Sequence, residues 1–148
     1  MTPLQNIQAS ALRYLAQREH TQLQLKQKLT RKFPEHTEAI NTVLASLQQD
    51  HQQDDRRYIE SLIRSRVNKG YGSVYIQQSL QQQKLDPELC QRCLEEAHID
   101  WLELAKTVYR KKYRDTPATT SSEKAKRYRF LQSRGFAMDV IKKISAIF

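Results

Sequence analysis

The stretch "RSRVNKGYGSVYI", residues 64–76, contains two of the only three glycines in a chain of 148 residues. Cations run into it from one side, and an apolar pattern leaves on the other. Three readings compete: a phosphate-cradling loop, a DNA-reading turn, or a junction between two helices. "KGYG" lacks the spacing of a P-loop, and a lone Gly-x-Gly is weak evidence for phosphate binding. Gly70 falls just after an amphipathic run through Tyr58, Ile59, Leu62, Ile63 and Val67, where a left-handed C′ residue is favoured because glycine has no Cβ. Gly72 would then let the chain turn tightly before Ser73, which can cap a helix burying Ile76 and Leu80. A helix-turn-helix connector is therefore the structural reading. It leaves Tyr71 unexplained, with Arg64, Arg66 and Lys69 beside it: an aromatic among cations at an exposed corner also suits a protein or nucleic-acid contact.

Working outward, the same pattern recurs. Leu29, Leu80 and Leu131 lie 51 residues apart, followed by Phe33, Leu85 and Phe136. At that offset Leu89, Cys90, Cys93 and Ala97 fall on Val140, Ile141, Ile144 and Phe148; at an offset of 50, Ile40, Val43, Leu44 and Leu47 fall on Cys90, Cys93, Leu94 and Ala97. Three tandem units follow, over residues 1–50, 51–99 and 100–148, each of three short helices. Thr21 with Gln24 reads as a capping box, Asp86 with Pro87 as an N-cap and first-turn proline, and Asp100 as a further cap. The polar run "QQDHQQDD" (48–55) links the first two units, and "RDTPATTSS" (114–122) is an insertion in the third. Arg127 stands where Ile76 predicts an apolar residue, so the third unit departs from the pattern there. With few glycines and prolines and no sustained alternation, the chain is expected to be all-α, an elongated and curved stack of units too small to bury much core singly.

Apolar residues make up 39% of the chain, lean for one thick core. No run approaches the ~18 apolar residues of a membrane span. The opening "MTPLQNIQAS" has neither the basic nor the apolar part of a secretory signal, so a cytoplasmic protein with no membrane contact is expected. Cys90 and Cys93 form a Cys-x-x-Cys, but a zinc site needs about four ligands, and His20, His36, His51 and His98 do not supply the spacing. The repeat sets aliphatic residues at both cysteine positions, so they read as core and no metal is expected. Asp54 and Asp55 read as helix-capping acids. No nucleophile, base and orienting acid can be assembled, so neither catalytic residues nor a cofactor are expected, and the chain is not read as an enzyme.

The formal charge of +9 is unevenly placed: residues 106–148 hold twelve Lys and Arg against three Asp and Glu, and residues 1–105 balance. A polyanion has one obvious end to approach, although a merely solvated basic face would look the same. Lys111, Lys112, Lys124, Lys126, Arg127, Arg129 and Arg134, interleaved with Tyr128 and Phe130, form a candidate phosphate-facing surface. The last helix of the second unit, with Asp86, Glu88, Glu95 and Glu96 against Arg92, would instead repel phosphates.

These residues resemble the RecX-type regulators of the RecA recombinase. The resemblance spans about residues 9–148 and rests on "LRYLAQREHTQLQLKQKL" (12–29), "KGYG" (69–72) followed by Ile76, "IDW" (99–101) and "SEKAKRYRFLQSRGF" (122–136). It departs before the Asp-Asp pair, where the family usually has an apolar run and this chain has "DHQQ". The resemblance implies a non-catalytic modulator, usually an inhibitor, of the recombination and DNA-repair machinery of the SOS response. Such a protein lies in the groove of the RecA–DNA filament, hinders strand exchange and ATP hydrolysis, and favours disassembly. The expected partners are the RecA filament and, directly, single- or double-stranded DNA, met by a monomer. An independent DNA-binding module and an oligomerising scaffold stay open as alternatives.

Overall fold

The computed structural model describes residues 1–148 and contains nine α-helices and no strand. They run α1 (Pro3–Gln17), α2 (Gln22–Lys32), α3 (Thr37–Gln49), α4 (Asp55–Asn68), α5 (Ser73–Gln82), α6 (Pro87–Glu96), α7 (Trp101–Tyr113), α8 (Ser121–Ser133) and α9 (Met138–Ile147). None is long and apolar enough to cross a membrane. The chain forms two compact units, Met1–Ser61 and Leu62–Phe148, divided within α4.

The repeat is carried in the core. Leu29, Leu80 and Leu131 are 0%, 1% and 1% exposed, one on the second helix of each triplet. In the first unit α1 lays Ile7 and Ala11 on Leu25 and Leu29 of α2 and on Ile40, Val43, Leu44 and Leu47 of α3. Both α1 and α2 open with reciprocal capping boxes, Thr2 with Gln5 and Thr21 with Gln24, which satisfy backbone donors that would otherwise need water. In the second unit Ala105 and Tyr109 of α7 pack with Leu131, Phe136, Ile141 and Ile144. Asp86 caps α6 ahead of Pro87, Asp100 caps α7, and Thr120 caps α8. Ser73 is not the cap of α5: that position is Gly72, which offers no side-chain bond, and Ser73 is the first helical residue.

The linker before α4 is ordered by polar bonds in place of an apolar run. The Gln53 side chain is buried and donates to the His20 carbonyl (3.3 Å) and to Asp55 Oδ1 (2.9 Å). That carboxylate also accepts from the Gln22 N–H (2.9 Å), so Asp55 serves the N-terminus of α2 as well as the first turn of its own helix. Asp54 accepts from the Arg56 N–H, and Arg57 bridges Glu19 (2.7 Å) and the carbonyls of His51 and Gln52. A polar linker can replace an apolar one here because nearly every buried donor finds an acceptor.

His20 is fully buried at the same corner. Its Nδ1 lies 3.0 Å from the Arg18 carbonyl and its Nε2 2.8 Å from Lys28 Nζ. The carbonyl can only accept and the ammonium can only donate, so the ring is neutral with its proton on Nδ1. Burial lowers its pKa first, with Arg18 and Lys28 adding repulsion; the bond to the Arg18 carbonyl and the Glu19 charge oppose them. A depressed histidine stabilises the fold above its ordinary pKa and loses that stability as pH falls, because the unfolded chain takes the proton first. Urea midpoints are therefore expected to fall as pH drops below about 6.5. In His20→Gln that histidine-dependent part of the slope should vanish; an unchanged slope would place the titration elsewhere.

Candidate functional site

The three glycines of the chain meet in one place. After α4 the chain turns through Gly70 (φ 82°), and after α8 through Gly135 (φ 83°). The two turns are joined backbone to backbone: the Gly72 N–H donates to the Arg134 carbonyl (2.8 Å), and the Val74 N–H to the Gly135 carbonyl (2.9 Å). Gly72 itself has φ −86°, open to any residue, so turning is not its function. A Cβ there would lie 2.5 Å from the Gly135 carbonyl oxygen, and one on Gly135 would lie 2.6 Å from the Tyr75 backbone nitrogen. Both glycines permit approach. Lys84, which is 51 residues before Gly135, makes the contrast: it too has positive φ (54°), yet is a lysine. The left-handed turn tolerates a side chain there; the close packing at Gly135 does not.

Arg134 and Tyr71, read as separate candidates, come together here. The guanidinium of Arg134 lies 4.5 Å from the Tyr71 ring centroid and donates to the Lys69 carbonyl, and Tyr71 stacks on Tyr75 at 3.9 Å. Arg134 is half-buried, its guanidinium is engaged at this junction, and its Nε is enclosed without an acceptor. Arg66 is likewise half-buried, its Nε enclosed without an acceptor. Arg64 and Lys69 remain exposed.

At the basic end, Lys111 and Lys112 close α7, and Lys124, Lys126 and Arg129 stand exposed on α8. Arg127 does not join them. It is only 5% exposed, at the register where Leu25 and Ile76 are each 0% exposed. Its Nη1 donates to Tyr109 Oη (2.7 Å) and the Thr116 carbonyl (2.7 Å), its Nε to Glu123 (3.0 Å), and its plane lies 4.3 Å from the Tyr113 centroid. The bond to Tyr109, aided by Glu123, raises its pKa above an already high value in spite of burial. The expectation of a phosphate-facing Arg127 is thus corrected: it is the polar centre of the third triplet's core, and the repeat holds at this position. Burial raises the pKa of neighbouring Tyr113, keeping it a neutral phenol.

Sequence reasoning missed the aromatic ladder around that arginine. Phe148 stacks on Tyr109 (4.8 Å), Tyr109 meets Tyr113 (5.1 Å), and Tyr113 meets Phe130 edge-on (5.6 Å). Arg110 lies over Phe148 (5.1 Å) and Lys112 over Phe130 (4.2 Å). The i, i+4 spacing of Tyr109 and Tyr113 on α7 was a visible signal; their partners come from other helices. Cys93 is buried and Cys90 half-buried, both on α6, and no group of three His, Cys, Asp or Glu residues is arranged to hold a metal ion.

Three family models match in order: the first three-helix domain of RecX over residues 9–47, the second over 54–94 and the third over 99–144. The chain belongs to the RecX family. It is 36% identical over 143 residues to proteins named Regulatory protein RecX from Salmonella typhi and Salmonella agona (strain SL483), covering 90% of this chain and 86% of each relative. The fold is similar to the crystal structure of RecX from Lactobacillus salivarius, with a TM-score of 0.81 and 23% identity over 95% of this chain and 93% of that one. A second crystal structure, of a regulatory protein RecX, gives a TM-score of 0.74 at 24% identity, covering 97% and 73%.

Two predictions separate joint from surface in this RecX chain. Gly72→Ala and Gly135→Ala should each lower stability by about 1–3 kcal/mol through overpacking, whereas Lys84→Gly should be neutral or slightly stabilising; urea denaturation checks all three. Arg127→Ala should lower the thermal midpoint by several degrees, whereas Lys126→Ala with Arg129→Ala should leave it within the small range of surface substitutions. Equal melting of the two variants would return Arg127 to the surface.

Proposed function

We propose that this chain regulates the RecA recombinase, acting as an inhibitor that seats on the RecA–DNA filament. The observation that carries the reading is the ordered match to all three RecX domains, together with relatives named regulatory proteins across nearly the whole chain. The reading needs no chemistry from the chain itself. Helical triplets covering a filament groove would hinder strand exchange and ATP hydrolysis by occupying space and bridging neighbouring subunits, and would favour disassembly.

The uneven charge suggests a division of labour. Residues 1–105, with balanced charge, would mainly meet protein. The exposed cations of α7 and α8, namely Lys111, Lys112, Lys124, Lys126 and Arg129, would meet DNA phosphates or an acidic recombinase surface. Such a term steers association and weakens with salt. The same charge supports a second reading, an independent DNA-binding module that needs no recombinase.

ATP hydrolysis by RecA on single-stranded DNA, titrated with this protein beside its binding to the same DNA alone, separates the two. Inhibition well below the RecA concentration, at protein levels that barely bind free DNA, is expected. Inhibition appearing only as the DNA saturates would favour the module. Lys126→Ala with Arg129→Ala should weaken inhibition and reduce the slope of log affinity against log salt by about one per cation removed.

A further inference from the structure

Beside the buried Arg127, between α8, the end of α9 and the 114–120 loop, lies a cleft of about 210 Å³. It is smaller than the ~300–1,000 Å³ of pockets for drug-sized ligands, and suits a single flat ring. Leu131 and Ile144 line it with apolar surface, Tyr109, Tyr128 and Phe148 supply aromatic walls, and Lys124 and Arg127 supply positive charge. The rings are not equivalent. Tyr109 carries Phe148 and the Arg127 guanidinium, and Phe148 carries Tyr109 and Arg110. Tyr128 alone of the three has neither ring nor cation against it; it packs on the core from one side and is half-buried, so the side that borders the cleft is the one left for a visitor.

The geometry points to this cleft as the seat of one unstacked base of a single-stranded nucleic acid, stacked on Tyr128 with a backbone phosphate near Lys124, the exposed cation of the lining. Aromatic stacking beside cations is how single strands are held without sequence preference, because every base offers a π face. A duplex base, already paired and stacked, could not enter without being extruded. An aromatic side chain of a partner protein could also fill the space, but the exposed Lys124 in the cleft's own lining favours a ligand that carries a negative charge beside each ring. This inference rests on the reading that the basic end meets DNA.

The test compares binding of the full chain, by fluorescence anisotropy at fixed salt, to an oligothymidylate and to a strand of equal length with abasic sugars at alternate positions. The two strands carry the same phosphates and differ in stacking. The wild-type chain should bind the intact strand about tenfold more tightly. Tyr128→Ala should bring the ratio close to one with little change for the abasic strand, and Tyr128→Phe should restore it. Ser145→Trp, at an exposed position on the cleft's rim, should abolish the preference by filling the space, without removing a core side chain or a charge. A wild-type ratio of one, with salt-dependent binding intact, would overturn the base seat and leave the basic end as a DNA contact. A preference that survives both Tyr128→Ala and Ser145→Trp would overturn the seat by placing stacking elsewhere. Absence of binding to either strand would overturn both inferences and give the cleft to a protein side chain.

Discussion

Within residues 62–148 the second and third triplets are joined where the backbones of Gly72 and Gly135 approach each other. Two turns that close different helices donate and accept main-chain hydrogen bonds, and nothing larger than a hydrogen atom fits at either α-carbon. A joint made from backbone has few soft torsions, unlike one made from long side chains meeting across a gap. Arg134 and Tyr71 add to it from opposite sides, a carbonyl and a ring face converging on one guanidinium. The residues that look most like a ligand-binding loop in sequence are thus spent largely on holding the second and third triplets together. An enclosed guanidinium nitrogen without an acceptor costs free energy, which the surrounding backbone bonds must offset.

Arg127 shows two sequence signals in conflict. Its neighbours Lys124, Lys126 and Arg129 assign it to a basic surface, whereas the 51-residue repeat assigns it to the core. The repeat prevails because register is geometric: a residue at the position of Leu25 and Ile76 points inward whatever its charge. A buried cation survives there because three acceptors and a tyrosine face converge on it. The insertion after α7 supplies one of them, the Thr116 carbonyl, so the extra loop and the unexpected arginine belong to the same local solution.

Helices, caps and the apolar stripe were legible because their causes are local. Thr21 and Gln24 lie three residues apart, Asp86 precedes Pro87, and Leu29, Leu80 and Leu131 recur at fixed distance. What was not legible depends on neighbours remote in the chain. Gly72 reads as a turn residue until Gly135 is found against it; Gln53 reads as linker polarity until its amide is found bonded to His20 and Asp55; Arg134 reads as a surface cation until Lys69 and Tyr71 are found beneath it. At the basic end, the exposure of Lys126 and Arg129 follows from their helical register relative to buried Arg127 and Leu131, whereas the cleft beside Tyr128 needs α8 and α9 to be placed before it exists.

The distribution of charge relative to these joints has a mechanical consequence. Exposed lysines and arginines act at a distance, weaken with salt and tolerate small displacements, so they suit capture of a moving polyanion. Close-packed backbone turns are insensitive to salt and tolerate almost no displacement. Residues 62–148 hold both kinds of feature, exposed cations and a close-packed backbone junction. Charge and close packing thus answer to different conditions: salt weakens the first and leaves the second unchanged.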